Sequence, residues 1–422
     1  MPEQKKAVVP RLRFPEFRDA GPWEIRTIED VAEKIAQGGT PDTTVPEFWN
    51  GDIPWITPAE MGDDALHHYT KQTVRALSTI GLQNSSAEIL PAYSVIVSSR
   101  APIGYVTINT VPMATNQGCK GIVPKQQIYH EFLYYSLLRA KRQLNDLGAG
   151  AGFKEISASS LKKLKILMPE RAEQQKIADC LSSLDELIEL QAKQLEALQA
   201  HKKGLMQQLF PREGETTPRL RFPEFRDAGP WEVKRLGEIC SFLKGKGLPK
   251  TAITAEGSVP CIHYGELFTE YGEVIRKVKS CTNTTTDSVL SEEDDVLMPT
   301  SDVTPNGLAK ASCIKEKNVV LGGDILVIRP NKQQVFGEYL SRYIRYQEKD
   351  VLRLVTGTTV FHLYGNAISH LRVSLPRMSE QQKIADCLSS LDELIELQAK
   401  QLEALQAHKK GLMQQLFPQE VG

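Results

Sequence analysis

The chain lacks the motifs that most often mark an enzyme. There is no G-x-x-x-x-G-K-[ST] phosphate loop, no H-E-x-x-H pair and no Asn/Asp-Pro-Pro-aromatic run. Their absence argues against a P-loop ATPase, a zincin and a self-contained amino-methyltransferase. The glycine-rich stretch GAGAG (148–152) precedes no Rossmann-type helix and reads as a flexible connector. Seven cysteines show no C-x-x-C spacing, and Cys261, His263 and Cys281 are too irregularly placed to read as a metal set. Buried thiols in a reduced, cytoplasmic protein are the expectation. No apolar run approaches the roughly 20 residues that span a bilayer. The opening MPEQKKAVVP has no apolar signal-peptide core. Strong charge of one sign is also missing, since 51 basic residues meet 52 acidic ones. The expectation is a non-catalytic protein with no cofactor or metal of its own and no membrane contact.

What the chain does have is repetition, which is the first feature to settle in any sequence. EQQKIADCLSSLDELIELQAKQLEALQAHKKGLMQQLFP runs Glu173–Pro211 and recurs letter for letter at Glu380–Pro418. PRLRFPEFRDAGPWE occurs at Pro10–Glu24 and again at Pro218–Glu232. Between these blocks lie two segments of similar length and different sequence. They keep weak matches at an offset of 207, such as Leu164 with Leu371 and Pro169 with Pro376. The identical parts must meet the same surroundings twice, and the divergent parts must meet two different things. The reading is an α+β protein with an approximate two-fold: arm 1–22, domain 23–170, helix 171–211, arm 212–230, domain 231–376, helix 377–418 and tail 419–422.

The long repeat contains no proline between its ends and is rich in good helix formers. Ile177, Leu181, Leu184, Ile188, Gln191, Leu195, Leu198, Lys202, Leu205 and Leu209 recur at alternating steps of 4 and 3. That is a coiled-coil seam about 50 Å long. The second copy repeats it through Ile384, Leu388, Leu391, Ile395, Leu402, Leu405, Leu412 and Leu416. The simplest partner for one copy is the other, and the intervening domain lets the pair run antiparallel. The plainer alternative is a single amphipathic helix lying on its own domain. Gln191 and Lys202 interrupt the seam, and polar seam residues set register and orientation. Ser379 with Gln382 reads as a capping box for the second helix. Each copy carries six acidic residues and four lysines, so the two account for −4 of a net −1 and leave about +3 elsewhere. That permits basic patches on the divergent segments without demanding nucleic acid.

The first divergent segment predicts a helix over 28–35, strands near 53–56, 94–99, 105–108 and 121–123, a helix over 130–145 and a last strand at 164–167. The second opens in a similar manner. Side chains of the types that read base edges sit in their loops. In the first segment these are Thr40, Ser99, Arg100, Asn116 and Gln117. In the second they are Lys244, Lys246, His263, Tyr264, Thr300, Ser301 and His362. Any one of them taken singly also fits an ordinary turn or surface position. Trp49 and Trp55 read as core aromatics.

Duplicated architecture, the G-G-T-P…W-N-G-D-I-P-W-I opening (Gly38 to Ile56) and the twice-occurring EQQKIA…LDELIE…LEALQ…KKGLMQQLF helices make the chain resemble the specificity subunit of type I restriction-modification enzymes over essentially its full length. The second segment departs from that opening, reading GKGLPKTAI…SVPCI, as expected if it reads another sequence. The resemblance implies two target recognition domains, each reading half of a split, asymmetric site in double-stranded DNA. It implies that the helices form an antiparallel spacer. It further implies two docked modification subunits with S-adenosylmethionine-dependent N6-adenine chemistry, joined by restriction subunits that use ATP and Mg. A coiled-coil scaffold that binds no DNA is the competing reading, and base-specific footprinting separates the two.

Overall fold

The structure, a computed structural model, describes residues 8–62, 68–148, 155–254, 256–285 and 288–418. The start of the first arm, the GAGAG connector from Ala149 onward and the tail 419–422 lie outside the described residues. Two compact units are present. Met1–Leu195 with Gln398–Gly422 form the first, and Glu196–Leu397 the second. Each unit therefore holds one divergent domain, the start of one long helix and the end of the other.

In the first unit a five-stranded sheet runs in the order Ala32–Gln37, Cys119–Pro124, Val95–Ser98, Val106–Asn109, Tyr69–Thr70. Neighbours are antiparallel except the last pair, which is parallel. Val95–Ser98 and Val106–Asn109 are buried along their whole length. The helix His130–Arg139 is accordingly apolar on most of its surface, with Phe132, Leu133, Tyr134, Tyr135 and Leu137 in the core. Trp49–Ile56 lies between Arg75–Leu77 and Ala114–Thr115 in a second sheet. Trp49 and Trp55 pack edge to face there, 5.0 Å apart and buried.

The second unit repeats the scheme. Its main sheet has the order Cys240–Lys244, Ile325–Pro330, Val296–Pro299, Ser312–Ile314, Val274–Ile275. Its edge pair is again parallel. The smaller sheet gains an additional strand at each edge, Ile253–Thr254 and Val289–Leu290. In both units a two-stranded ribbon brings the chain to the long helix, pairing Glu24–Thr27 with Lys165–Met168 and Glu232–Arg235 with Arg372–Leu375.

Three local expectations need correction. The helix expected over 28–35 is a single turn, Ile28–Val31, capped by Thr27, after which Ala32–Gln37 is a strand. Ile28, Val31 and Ile35 do fall at helical spacing. The ladder to Cys119–Pro124 claims the backbone groups beyond Val31, and tertiary pairing overrides local propensity. The helix expected over 130–145 breaks at Ala140 into His130–Arg139 and Lys141–Leu147. Ser379 lies within the second long helix, which begins at Met378, so it is not the cap. Glutamine side chains tie that end down instead. Gln381 donates to the Pro376 carbonyl (3.0 Å) and accepts from the Phe336 N–H (2.9 Å). Gln174 does the same for the first helix with Pro169 and Tyr129.

Both long helices are continuous for 39 residues, Arg171–Leu209 and Met378–Leu416. Within each unit the start of one lies against the end of the other, which is the antiparallel pairing the seam predicts. In the first unit Leu412, Met413, Leu416 and Phe417 join the core that contains Ile177, Ala178 and Leu181. In the second, Leu205, Met206, Leu209 and Phe210 join Ile384 and Leu388. Ile177, Leu181, Ile188, Leu209, Ile384, Leu388 and Leu416 are buried. Leu184, Leu195, Leu198, Leu205, Leu391, Ile395, Leu402, Leu405 and Leu412 are half-buried. A seam covered by one partner helix leaves its flanks wet. The lysine interruptions have defined work: Lys202 pairs with Asp392 (2.5 Å), and Lys409 pairs with Asp185.

Each arm is clamped to a helix start by the same buried bidentate pair. Arg13 Nε and Nη2 reach Glu173 at 2.8 and 2.7 Å. Arg221 Nε and Nη2 reach Glu380 at 2.7 and 2.8 Å. Such forks are the strongest form of carboxylate pairing, and both glutamates are buried. Losing one partner strands a buried charge, which costs about 3–5 kcal/mol. Arg13→Ala and Arg221→Ala are each expected to lower stability on that scale in urea denaturation, with Arg→Lys recovering only part of it.

One buried carboxyl differs between the units. Glu338 has Lys315 Nζ at 3.2 Å and accepts from Ser389 Oγ at 3.1 Å. Its counterpart Glu131 sits near Asp179 and Glu186, and burial first, then these two charges, push its carboxyl up to about 7. Over the range from an ordinary glutamate pKa up to about 7, the unfolded chain gives up a proton that the folded chain keeps. Stability therefore falls as pH rises through that window. Glu131→Gln is expected to raise stability at pH 8 relative to the native chain and to leave it nearly unchanged at pH 4, as read by denaturation at both values.

Candidate nucleic-acid interface

The expected base-reading residues of the first domain gather around one turn. Gly118 N–H donates to Asn116 Oδ1 (3.0 Å), and the Gly118 carbonyl accepts from the N–H groups of Ser99 (2.7 Å) and Arg100 (3.3 Å). Thr40 Oγ1 meets Gln117 Oε1 across this turn. Gly38 and Gly39 let the Thr40 loop approach, because a Cβ would fall inside the backbone of Asn116 at the first and of Ser86 and Ala87 at the second. Arg100 is exposed, and its Nε donates to Glu155 Oε2 at 3.0 Å. Ser99 does not join the exposed group: its side chain is fully buried. Beneath the turn lies Lys120, whose ammonium is buried 3.6 Å from Glu155, and desolvation holds its pKa below the usual lysine value.

The second domain builds the corresponding place from other residues. Thr300 N–H donates to the Asp324 carbonyl (2.9 Å) as Ser99 does to Gly118, and Leu363 N–H donates to the Thr300 carbonyl (3.0 Å) as Ile156 does to Ser99 (2.8 Å). Arg100 faces Glu155 across an isolated bridge, and Ser301 faces His362 across a short ladder. Glu155 and His362 are thus equivalent positions, as are Arg100 and Ser301. Asp324 gathers two candidates, accepting from Thr300 Oγ1 at 3.3 Å and pairing with Lys244 Nζ at 3.4 Å. His362 stacks on the exposed Tyr364, 5.9 Å between rings. Lys246 is exposed. His263 and Tyr264 follow the strand Val259–Ile262, and the Ile262 carbonyl accepts from Gly322 N–H (2.9 Å); His263 Nδ1 accepts from the Gly265 N–H (3.2 Å) and the two rings lie 4.6 Å apart.

Glu155, Lys120, Asp324 and Tyr364 escaped the sequence reading. Glu155 was within reach, since it stands 207 residues before His362. Among the described residues no group of three or more His, Cys, Asp or Glu gathers as metal ligands would, and no helix is long and apolar enough to cross a membrane. Cys261 is buried in a strand and Cys281 half-buried in its neighbour, both free thiols. The two clusters share a backbone frame and differ in side-chain chemistry, which is what two readers of different sequences require.

The profile described as "Type I restriction modification DNA specificity domain" matches residues 21–200 and again 229–407. The chain belongs to that family. The "Type I restriction enzyme MjaIX specificity subunit" of Methanocaldococcus jannaschii is 30% identical over 420 residues, covering 93% of this chain and 92% of its own. The EcoR124I/EcoR124II specificity subunit of Escherichia coli is 30% identical over 183 residues, 40% of this chain and 42% of its own. The crystal structure of a type I restriction-modification S subunit from M. genitalium matches 98% of this chain and 100% of its own, with a TM-score of 0.62 and 18% identity. A chain from a structure addressing complex assembly and conformational transition of the type I system matches with a TM-score of 0.55 and 15% identity, covering 94% of this chain and 98% of its own. The solved structures carry the likeness of fold, and the family match carries the DNA specificity role.

Proposed function

We propose that this specificity subunit reads a split, asymmetric DNA site, one half with each divergent domain, and brings two modification subunits to it. The single observation that carries the reading is the pair of equivalent clusters, Arg100 with Glu155 in one domain and Ser301 with His362 in the other, on one backbone frame. Arg100, Gln117, Asn116 and Thr40 are the candidate base contacts of the first half, and Lys244, Lys246, Ser301 and His362 those of the second. His263 and Tyr264, just after the strand whose Ile262 carbonyl bonds Gly322 N–H, are candidate contacts of the second half as well. Ser99 and its equivalent Thr300 are both buried and support the turn from within.

The long helices would fix the gap between half-sites, since each is unbroken for 39 residues. They would also dock the partners. Leu187 and Leu190 are 42% and 64% exposed, and their counterparts Leu394 and Leu397 are 51% and 54% exposed. The same unpartnered leucines recur in identical sequence, so one kind of partner would bind twice. Methyl transfer from S-adenosylmethionine to adenine N6, and ATP- and Mg-dependent restriction, would then belong to the partner subunits of a cytoplasmic assembly. This chain supplies no catalytic group.

Arg100→Ala in the assembled complex is expected to weaken binding at the first half-site by roughly 1–3 kcal/mol, with discrimination lost at one base pair. Equal weakening on all sequences would mark Arg100 as a phosphate contact instead. Native mass spectrometry of the co-expressed proteins should show two modification subunits per chain. A stable assembly with one, under saturating partner, would sink the twofold docking.

A further inference from the structure

The long helices are identical from Glu173 and Glu380 onward, yet each meets a different domain, and the difference is resolved at one largely buried polar junction per unit. In the first unit Asp185 on the helix is buried and pairs with Lys409. The domain contributes Tyr135, whose hydroxyl donates to Asp185 Oδ2 at 2.7 Å, and His68, whose Nδ1 lies 3.9 Å from the same oxygen. His68 is wedged between Tyr69 and Tyr134, with ring centroids 4.3 and 4.1 Å away. Burial, then Lys409 and His130, pull its pKa down to about 3, so the ring is neutral. The set balances at one negative and one positive charge.

In the second unit the helix pair is Asp392 with Lys202, the same two residues one repeat apart. The domain contributes Arg342 at the position of Tyr135 and Glu273 at the position of His68. The first equivalence follows from the offset of 207. The second follows from the backbone: the His68 carbonyl accepts from Ile108 N–H (2.9 Å) and the Glu273 carbonyl from Cys313 N–H (2.8 Å), each just before the parallel edge strand. Arg342 is fully buried. Its Nη1 bonds Glu273 and Asp392 (2.7 Å), its Nη2 bonds Ser389 Oγ (2.8 Å), and Lys202 reaches Glu273 at 2.7 Å. Here two negative charges meet two positive ones.

We infer that His68 with Tyr135, and Glu273 with Arg342, are matched positioning pairs that seat each recognition domain on a common Asp–Lys helix pair, and that they exchange only as pairs. A domain carries both of its own members, so the helix half never has to change. A single exchange leaves an unbalanced charge in an enclosed site, which proteins tolerate poorly. Tyr135→Arg adds a cation, His68→Glu adds an anion, and the double variant restores balance. Arg342→Tyr and Glu273→His are the reciprocal set.

The test uses the full chain. Thermal melting without DNA is measured for each single and double variant in both units. The assembled complex is then titrated with duplexes carrying the site that it methylates in cells, altered in one half at a time. The half-site readout rests on the DNA-reading function proposed above; the melting readout does not. Expected are clear losses of melting temperature in all four singles, recovery in both doubles, and at least tenfold weaker binding confined to the half-site of the altered unit, also recovered in the doubles. Additive melting losses would overturn the pairing, and the two reciprocal sets keep this decidable if one single variant fails to fold. Singles that lose stability yet keep native half-site affinity would overturn the positioning role. Coupled melting in a native assembly that binds no DNA would support the pairing and count against the DNA-reading function.

Discussion

Everything in this molecule depends on the seating of two phenylalanines. Each long helix ends in Leu-Phe-Pro, and each end is buried in a unit other than the one where its helix starts. Phe417 stacks on Phe132 at 5.2 Å and meets Trp23 edge-on at 5.9 Å. Phe210 lies among Tyr339, Tyr343 and Tyr346 at 5.7, 5.5 and 5.1 Å. Burying such a ring is worth about 1.5–3 kcal/mol from area alone. Between these anchored ends most seam leucines are only half-buried. The last carbonyl of each repeat is satisfied too, by Arg139 on Pro418 (3.0 Å) and by Tyr346 on Pro211 (3.2 Å).

That pair of donors illustrates how identical helices tolerate different domains. The helix side of each contact is fixed by sequence identity, and the domain side varies within the limits of charge and hydrogen bonding. Where the backbone alone makes the contact, as with Gln174 and Gln381, the two units agree. Where a side chain meets a helix side chain, they diverge and compensate. The arms show the opposite behaviour. The Arg–Glu clamps are identical because neither partner belongs to a divergent segment.

The long helices and their seam were legible because a 3.5-residue period sustained over ten positions marks a long continuous helix with one apolar edge. Their partner was legible because a seam of that length needs one. The boundary at Val31 was hidden, since Ile28, Val31 and Ile35 fit a helix and only the distant strand Cys119–Pro124 decides otherwise. Ser379 failed as a cap for a related reason: Gln381, inside the helix, does the tying through a contact to Phe336. Of the candidate interface, residues next to sharp turns were found from their type, Thr40, Asn116 and Gln117 among them. Ser99 looked the same in sequence and is buried, because it directly follows Val95–Ser98, a strand covered along its whole length. Glu155 and Asp324 were invisible as carboxylates, which are not what one seeks on a surface meant for phosphate. Their use is to hold Arg100, Lys120 and Lys244 in place.

The exchange of helix ends has a consequence for symmetry. An arm, one divergent domain and one long helix leave two things unfinished: a Leu-Phe-Pro end with nowhere to go, and a socket lined by Trp23 and Phe132, or by Trp231 and Tyr339, with nothing in it. Because the two ends are the same sequence, a second copy of that half-length piece completes both at once. The closure is isologous, each half giving what it receives. The full chain then carries both ends and both sockets in one covalent piece, and joining the halves is what frees the two domains to differ.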